Sequence, residues 1–456
     1  MSKIQIDGVQ NSNDYAELIR MFVDADKSIE VANEILLPKE LLRPKEKKEE
    51  IKKYIYNRLH DKTGKTLPWG TLTGVKPLKL YIKLLSGQTP TNTVDETRTI
   101  LKTEFLVDDS KINLLENIYN QQKKVLDEPK ANMVSVYIGI PFCPTRCTYC
   151  SFTSNQKEYG EIKRYLTALY KEIDYVGRQM ADAGLKAETI YVGGGTPTTL
   201  EADELNELIQ KIRTRIPAEE GFEFTVEAGR PDTINMVKLE TLHKNGVGRI
   251  SINPQTMKDE SLRLIGRNHT ANDIVKAFEM AHRVGFDVIN VDLIAGLPGE
   301  DGNDFGRTLD EIAVFDPANV TVHTLALKKS SGLVEKLIES NEDLISPNHS
   351  KAANMVDGAK EFLQKRNYVP YYIYRQKYMA DNLENVGYAK EGTECIYNIR
   401  IMEEKQTVIA MGAGGSTKVY FPENDRIERI FNVSNYEIYI DRIDEMINRK
   451  KEKLFV

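Results

Sequence analysis

Three of the four cysteines in this 456-residue chain, Cys143, Cys147 and Cys150, fall within eight residues of one another. Thiolates are nucleophiles, redox groups and metal ligands, and three so closely spaced argue for the last of these roles. On one loop they can wrap separate corners of an iron–sulfur cubane. Four cysteines close every corner of such a cluster. Three leave one iron open to a substrate or cofactor. The competing reading is structural zinc, which wants four closed ligands, usually as two pairs. No fourth ligand is local: the nearest downstream histidine is His243, and Cys395 lies far along the chain.

Further polar residues recur at the ends of short β-branched runs. Gly193-Gly194-Gly195-Thr196-Pro197 follows one run and offers bare backbone groups to a ligand. No Gly-Lys-Ser/Thr follows it, so it is not a phosphate loop. Glu227 closes the next run, Gln255 follows another, and Asp292 sits within a fifth. Leu264–His269 supplies a cation, Arg267, and a histidine, His269, whose ordinary role is structural. A lone acid in a strand can pair with a buried arginine, and Arg249 and Arg267 are available. Several such groups at successive strand ends fit a shared site better.

The elements that must position these groups alternate. Strands are expected at 134–140, 189–192, 222–227, 249–252, 288–294 and 320–325. Helices are expected at 160–183, 201–216, 233–245, 270–284 and 304–314, with Asp232 and Thr270 as candidate caps. Alternation of this kind means parallel βα units. Six units are too few for an eight-fold barrel, so an open or partial barrel is expected, with its chemistry at the carboxyl ends of the strands.

The chain is 41% hydrophobic and 29% charged, with a net charge of -6. This permits a sizeable core and excludes a global basic field for nucleic acid. The N-terminus has no apolar signal core, and no apolar run approaches the roughly 18 residues of a membrane span. The expectation is a soluble, cytoplasmic protein. A charged helix near 46–59 reads as a solvated face. The boundaries expected are an N-terminal accessory domain over 1–131, the partial barrel over 132–335, and a C-terminal domain over 336–456.

The CxxxCxxC spacing, with Tyr149 before the last cysteine, resembles the radical S-adenosylmethionine (SAM) superfamily. With Gly193–Pro197, Glu227, Gln255, Arg267 and Asp292, the barrel is similar to the oxygen-independent coproporphyrinogen III oxidase family. Tyr371–Gln376, 382–388, Met402-Glu403-Glu404 and the Pro68-Trp69-Gly70…Thr73-Gly74 segment resemble its coproporphyrinogen dehydrogenase branch. The resemblance implies a partial (β/α)6 TIM-like radical SAM barrel, between an N-terminal α+β domain and a mostly helical C-terminal domain. It implies a [4Fe-4S] cluster on Cys143, Cys147 and Cys150, and one or two SAM molecules. It implies that the propionates of a tetrapyrrole, coproporphyrinogen III, become vinyl groups, with a small electron-transfer protein as reductant.

Carried over residue by residue, Tyr137 and Glu227 are catalytic and, with Tyr149 and Gly194, flank the cluster-bound SAM. Gly195, Thr196, Gln255, Arg267, Asp292 and Ala326 line a second SAM region. Arg230, Arg249, Lys328, Lys329, Arg375 and Lys377 are candidate cations for the propionates. This sequence departs from the family at Gly139, often histidine, at Ser151, a cysteine in the best-known oxidase, and in Gly412–Ser416, which lacks a common histidine. Two alternatives stay open. One is a heme chaperone, although those relatives carry His-Asn where this chain has Tyr397-Asn398. The other is a radical methyl transfer to a tetrapyrrole.

Overall fold

Alternation of apolar and small or polar residues along six segments builds the centre of the protein. In the computed structural model these are β1 (Met133–Ile140), β2 (Lys186–Gly194), β3 (Ala218–Glu227), β4 (Arg249–Ser251), β5 (Val288–Ala295) and β6 (Asn319–Thr324). The structure describes residues 13–23, 35, 37–38, 48–74, 76–86, 92–126, 132–150, 155–156, 159–326, 333, 349–376, 379 and 382–455.

Neighbouring strands β1 to β6 pair in parallel, in chain order. Parallel partners cannot be joined by a tight turn, so each crossover carries a helix. These are α6 (Tyr159–Asp182), α7 (Ala202–Arg215), α8 (Met236–Lys244), α10 (Ala271–Val284) and α11 (Gly302–Ala313), with a short α9 (Asp259–Leu264) preceding α10. In β1 the period of two is plain. Val136, Ile138 and Ile140 enter a core with Leu166, Leu169 and Ile173 of α6. Tyr137 instead joins Tyr191 and Tyr397 in a separate cluster on the inner face.

Thr270 caps α10 as expected, accepting from the Asp273 N–H in a reciprocal capping box. The cap expected at Asp232 is corrected. Asn235 caps α8, accepting from the Lys238 N–H. Asp232 lies in a 3-10 turn, Pro231–Thr233, where Arg230 engages its carboxylate.

The sheet does not close on itself. Five further strands extend it: β7 (Val369–Tyr374), β8 (Asn385–Ala389), β9 (Val408–Met411), β10 (Ser416–Phe421) and β11 (Arg426–Phe431). The order is β11-β10-β9-β1-β2-β3-β4-β5-β6-β8-β7. Pairing of β9 with β1 and of β8 with β6 satisfies the edges that an open barrel would leave bare. The helices of this region are α12 (His349–Gln364), α13 (Ile396–Glu403), α14 (Tyr436–Asp441) and α15 (Ile443–Lys453).

Before the barrel, the described residues form α1 (Asn13–Phe22), α2 (Lys48–Thr63), α3 (Pro77–Ser86), α4 (Val94–Thr103) and α5 (Asp109–Leu126). The strands of the expected α+β block are not among them. The charged α2 is solvated on one side only, and Ile51, Ile55 and Leu59 bury the other in a cluster with Leu18 and Ile19 of α1. Trp69 is fully buried and donates its indole N–H to Glu384 at 2.7 Å, tying this block to the start of β8. Among the described residues no helix is long and apolar enough to cross a membrane.

Candidate active site

The cysteine loop leaves β1 and is stitched to the glycine loop that leaves β2. The Gly195 N–H donates to Ile140 O and the Thr196 N–H to Phe142 O, both at 2.7 Å. Gly194 has φ +114, in a region that L side chains rarely adopt. A Cβ on Gly195 would lie 2.5 Å from Phe142 O and 3.0 Å from the Cys143 sulfur. Only a bare backbone fits there. The far side of the cysteine loop rests on the turn after α9. The Thr148 N–H donates to Ile265 O at 3.0 Å, and Thr145 Oγ1 donates to Gly266 O at 3.3 Å.

The three thiols form no disulfide and are half-buried. Cys143 Sγ lies 3.4 Å from Thr196 Oγ1. Burial pushes the Cys143 thiol up, opposed by the Thr196 hydroxyl and assisted by the nearby Cys150 and Cys147. Arg230 brings a guanidinium N–H to 3.6 Å from Cys147 Sγ. Among the described residues no three His, Cys, Asp or Glu side chains are gathered as a ligand set for a single metal ion. In a cubane each thiolate takes its own iron, so the sulfurs stand apart. Three thiols with no fourth protein ligand among the described residues, and with a cation beside one of them, fit a cluster with an open corner better than zinc.

Inside the barrel, Glu227 accepts from the Tyr191 hydroxyl at 2.7 Å and from the Gly194 N–H at 3.2 Å. Burial raises its carboxyl to about 7 against these two donors, and nearby Asp292 adds to the rise. Tyr191 and Tyr397 stack with ring centroids 4.5 Å apart, and Tyr137 stacks at 6.3 Å and 6.2 Å from them. Burial, then Glu227, raises the Tyr137 phenol, keeping it a neutral donor. Tyr397 stands at the start of α13. There the Ile396 and Tyr397 N–H groups donate to Glu223, the partner of Arg249. Thus α13 seats an aromatic floor under the inner face of β1 to β3.

The other predicted residues group nearby. Arg267 is buried and donates to Tyr149 Oη at 3.0 Å, Asn253 O at 2.8 Å and Gly229 O at 3.2 Å. Burial opposes its charge, but Tyr149 and Cys147 hold its pKa above the usual arginine value. Gln255 has φ +70, a strained setting for a non-glycine residue, and its backbone pairs with β5 through Asp292 O and the Ile294 N–H. Asp292 Oδ1 lies 3.6 Å from His323 Nε2, and His323 Nδ1 lies 3.2 Å from the Tyr374 hydroxyl. Ala326 follows β6 and bridges Met379. Thus neither Glu227 nor Asp292 pairs with Arg249 or Arg267, the arginines the sequence offered for isolated ion pairs.

Several expectations need correction. Arg249 is spent on Glu223, Asn290, Asn319 and two α13-side carbonyls. Arg375 is buried against Leu72 O, Gly74 O and Asn382 O, and burial lowers its pKa to about 10. Arg230 is held by Asp232 and Thr145. None of the three is a free cation for a propionate. Lys328, Lys329, Lys377 and Ser151 lie outside the described residues, as does the N-terminal stretch to Asn11. His269 is structural, 3.4 Å from Asp232 Oδ1. Cys395 is buried and donates to Glu223 at 3.3 Å. The Gly412–Ser416 stretch is a packing turn: Gly412 donates to Glu172 at 2.8 Å, and a Cβ on Gly412 would lie 2.5 Å from Gly139 O.

Sequence reasoning gave Tyr191, Tyr397, His323 and Tyr374 no place beside Glu227 and Asp292. Tyr191 was within reach: it stands two residues before Gly193 in a strand, on the same face. Tyr397 was not, because α13 reaches the barrel floor only by long-range packing.

The radical SAM superfamily pattern matches residues 137–312. Over 404 residues, the chain is 38% identical to the "Oxygen-independent coproporphyrinogen-III oxidase-like protein HemZ" of Bacillus subtilis, covering 87% of this chain and 79% of the relative. It is 30% identical to the "Heme chaperone HemW" of the same organism, covering 69% and 76%. The solved coproporphyrinogen III oxidase HemN of Escherichia coli superposes with a TM-score of 0.56 at 24% identity, over 71% of this chain and 72% of that one, which supports the fold. Membership of the superfamily implies a [4Fe-4S] cluster and SAM. The chain belongs to the oxygen-independent coproporphyrinogen III oxidase-like family of radical SAM proteins, in its HemZ-like branch.

Proposed function

We propose that this protein decarboxylates two propionates of coproporphyrinogen III to vinyl groups without oxygen, giving protoporphyrinogen IX. The observation that carries this reading is the meeting of the cysteine loop, the Gly193–Thr196 loop, Glu227, Arg267–Tyr149 and Asp292 at one end of β1 to β5, in a chain that resembles a coproporphyrinogen oxidase-like relative over most of its length.

Cys143, Cys147 and Cys150 would hold the cluster, leaving one iron for SAM. When bound, the cluster and SAM would supply a carbon radical able to take a hydrogen atom from the propionate β-carbon; loss of carbon dioxide would then pass one electron to an external one-electron acceptor. The chain's own groups bind, orient and exclude water. The Gly194 and Gly195 N–H groups are already given to Glu227 and Ile140 O, so this bare loop borders the cysteine loop as a surface that the polar methionyl end of SAM would approach closely. Glu227, poised near neutrality, can carry charge opposite a cationic ligand or remain neutral without one. The Tyr137–Tyr191–Tyr397 stack closes the floor to water and keeps phenol donors neutral. Arg267 fixes Tyr149 and thereby the ring beside Cys150. Gln255 and Asp292 would line a second SAM, as the family resemblance implies.

The HemW likeness favours a second reading, stoichiometric heme binding. A third, methyl transfer, would leave S-adenosylhomocysteine. The test is anaerobic reconstitution with iron and sulfide, then dithionite, SAM and coproporphyrinogen III, with products followed by mass spectrometry. Loss of two carbon dioxide units with 5′-deoxyadenosine and methionine supports the decarboxylase. Cleavage of SAM with intact porphyrinogen discards the substrate. An assembled cluster without cleavage, together with stable heme binding, favours the chaperone.

A further inference from the structure

Arg230 is almost wholly buried, 3% exposed, beside the cysteine loop. A guanidinium has five N–H donors in a planar fork. Nε donates to Asp232 Oδ1 at 2.9 Å and Nη2 to Asp232 Oδ2 at 2.7 Å. Nη2 also donates to Thr145 Oγ1 at 2.9 Å, and Nη1 to Thr145 O at 3.3 Å. That places four donors. The fifth, on Nη1, faces Cys147 Sγ at 3.6 Å. Asp232 fixes the fork edge-on, and His269 Nδ1 backs the same carboxylate at 3.4 Å. The arrangement is a positive charge aimed at one sulfur, with its counter-charge on the far side.

We propose that Arg230, oriented by Asp232, is a positioning residue that sets the reduction potential of the cluster through Cys147. The inference rests on the reading of Cys143, Cys147 and Cys150 as cluster ligands. Reduction adds negative charge, part of which falls on the ligand sulfurs. An N–H···S bond and a buried cation stabilise that charge more than the oxidised cluster, so they raise the potential. This matters because a one-electron donor must fill the cluster before any SAM is cleaved. Thr145 shows that the same side chain also braces the loop, so loss of activity alone would not separate the two roles.

The experiment is a redox titration followed by electron paramagnetic resonance on the reconstituted full-length protein, with iron and sulfide counted per chain. At the poise that half-reduces the wild-type cluster, Arg230→Met should lower the reduced-to-oxidised ratio about tenfold, which is 59 mV for one electron. Asp232→Asn keeps one acceptor oxygen for the fork, leaves the Thr145 contacts in place and removes the counter-charge, and should raise that ratio. Opposite signs are the signature, since a bracing role predicts no ordered pair of shifts. Full cluster content in both variants with ratios unchanged within twofold overturns the proposal, as do shifts of the same sign. Should Arg230→Met assemble no cluster, Asp232→Asn decides alone: a raised ratio supports the proposal, and an unchanged or lowered one overturns it. A wild-type protein that assembles no cluster removes the ligand assignment, and this inference with it.

Discussion

Replacing Glu227 with glutamine isolates a charge that the barrel interior resists. The carboxyl has an ordinary value of 4.5 and is raised to about 7 in the folded protein, with burial as the main cause. Unfolding between these values releases a proton. Stability from this group is therefore fully present below about pH 4.5, falls as pH rises, and is gone above about pH 7. At 1.36 kcal/mol for each pH unit, the loss is at most about 3 kcal/mol. Glutamine keeps an oxygen for the Tyr191 hydroxyl and cannot ionise. Relative to wild type, E227Q should thus gain about 3 kcal/mol of stability between pH 4.5 and pH 8. Urea unfolding of the cluster-free protein, followed by circular dichroism at several pH values, reads this difference. Parallel stability curves for the two proteins would refute the reasoning. The same carboxyl should lose its proton when a cationic ligand arrives, so SAM binding near pH 7 should release protons from wild type and not from E227Q.

Cys147→Ala should lose its iron while keeping its far-ultraviolet dichroism, because no core residue is removed; a variant that still cleaves SAM would sink the ligand assignment. Lys450→Met breaks a fully buried pair with Glu172 at 2.7 Å and leaves that carboxylate charged with only the neutral Gly412, Asn432 and Tyr439 donors, so a loss of about 3–5 kcal/mol is expected in urea unfolding. Gly412→Ala puts a Cβ 2.5 Å from Gly139 O at φ +91, and should cost at least about 1–3 kcal/mol and lower the melting temperature. Tyr397→Ala removes the ring stacked on Tyr191 and should weaken SAM binding in calorimetry more than it lowers the melting temperature.

The βα alternation was legible because each parallel strand is covered by a helix of period 3.6 while the strand itself keeps period two. The cysteine triad and Gly193–Thr196 were legible for a different reason: their chemistry lies within one loop each. Glu227, Gln255 and Asp292 were singled out because strand ends in such a fold share one mouth, and in the structure the Gln255 N–H donates to Asp292 O. What the sequence hid was long-range. It offered Arg249 for an ion pair inside the site, but packing of α13 under the barrel gave that arginine to Glu223 instead. It counted Arg230 and Arg375 as substrate cations, yet only burial shows that their donors are taken by Asp232, Thr145 and backbone carbonyls.

Local spacing alone therefore determined the cysteine loop, the glycine loop and the parallel units, because each depends on neighbours within a few residues. The tertiary structure decided which charges are free, which tyrosines line the floor, and how the C-terminal strands complete both sheet edges. Those outcomes depend on side chains hundreds of residues apart, as with Trp69 and Glu384 or Glu172 and Lys450, and no local pattern encodes them.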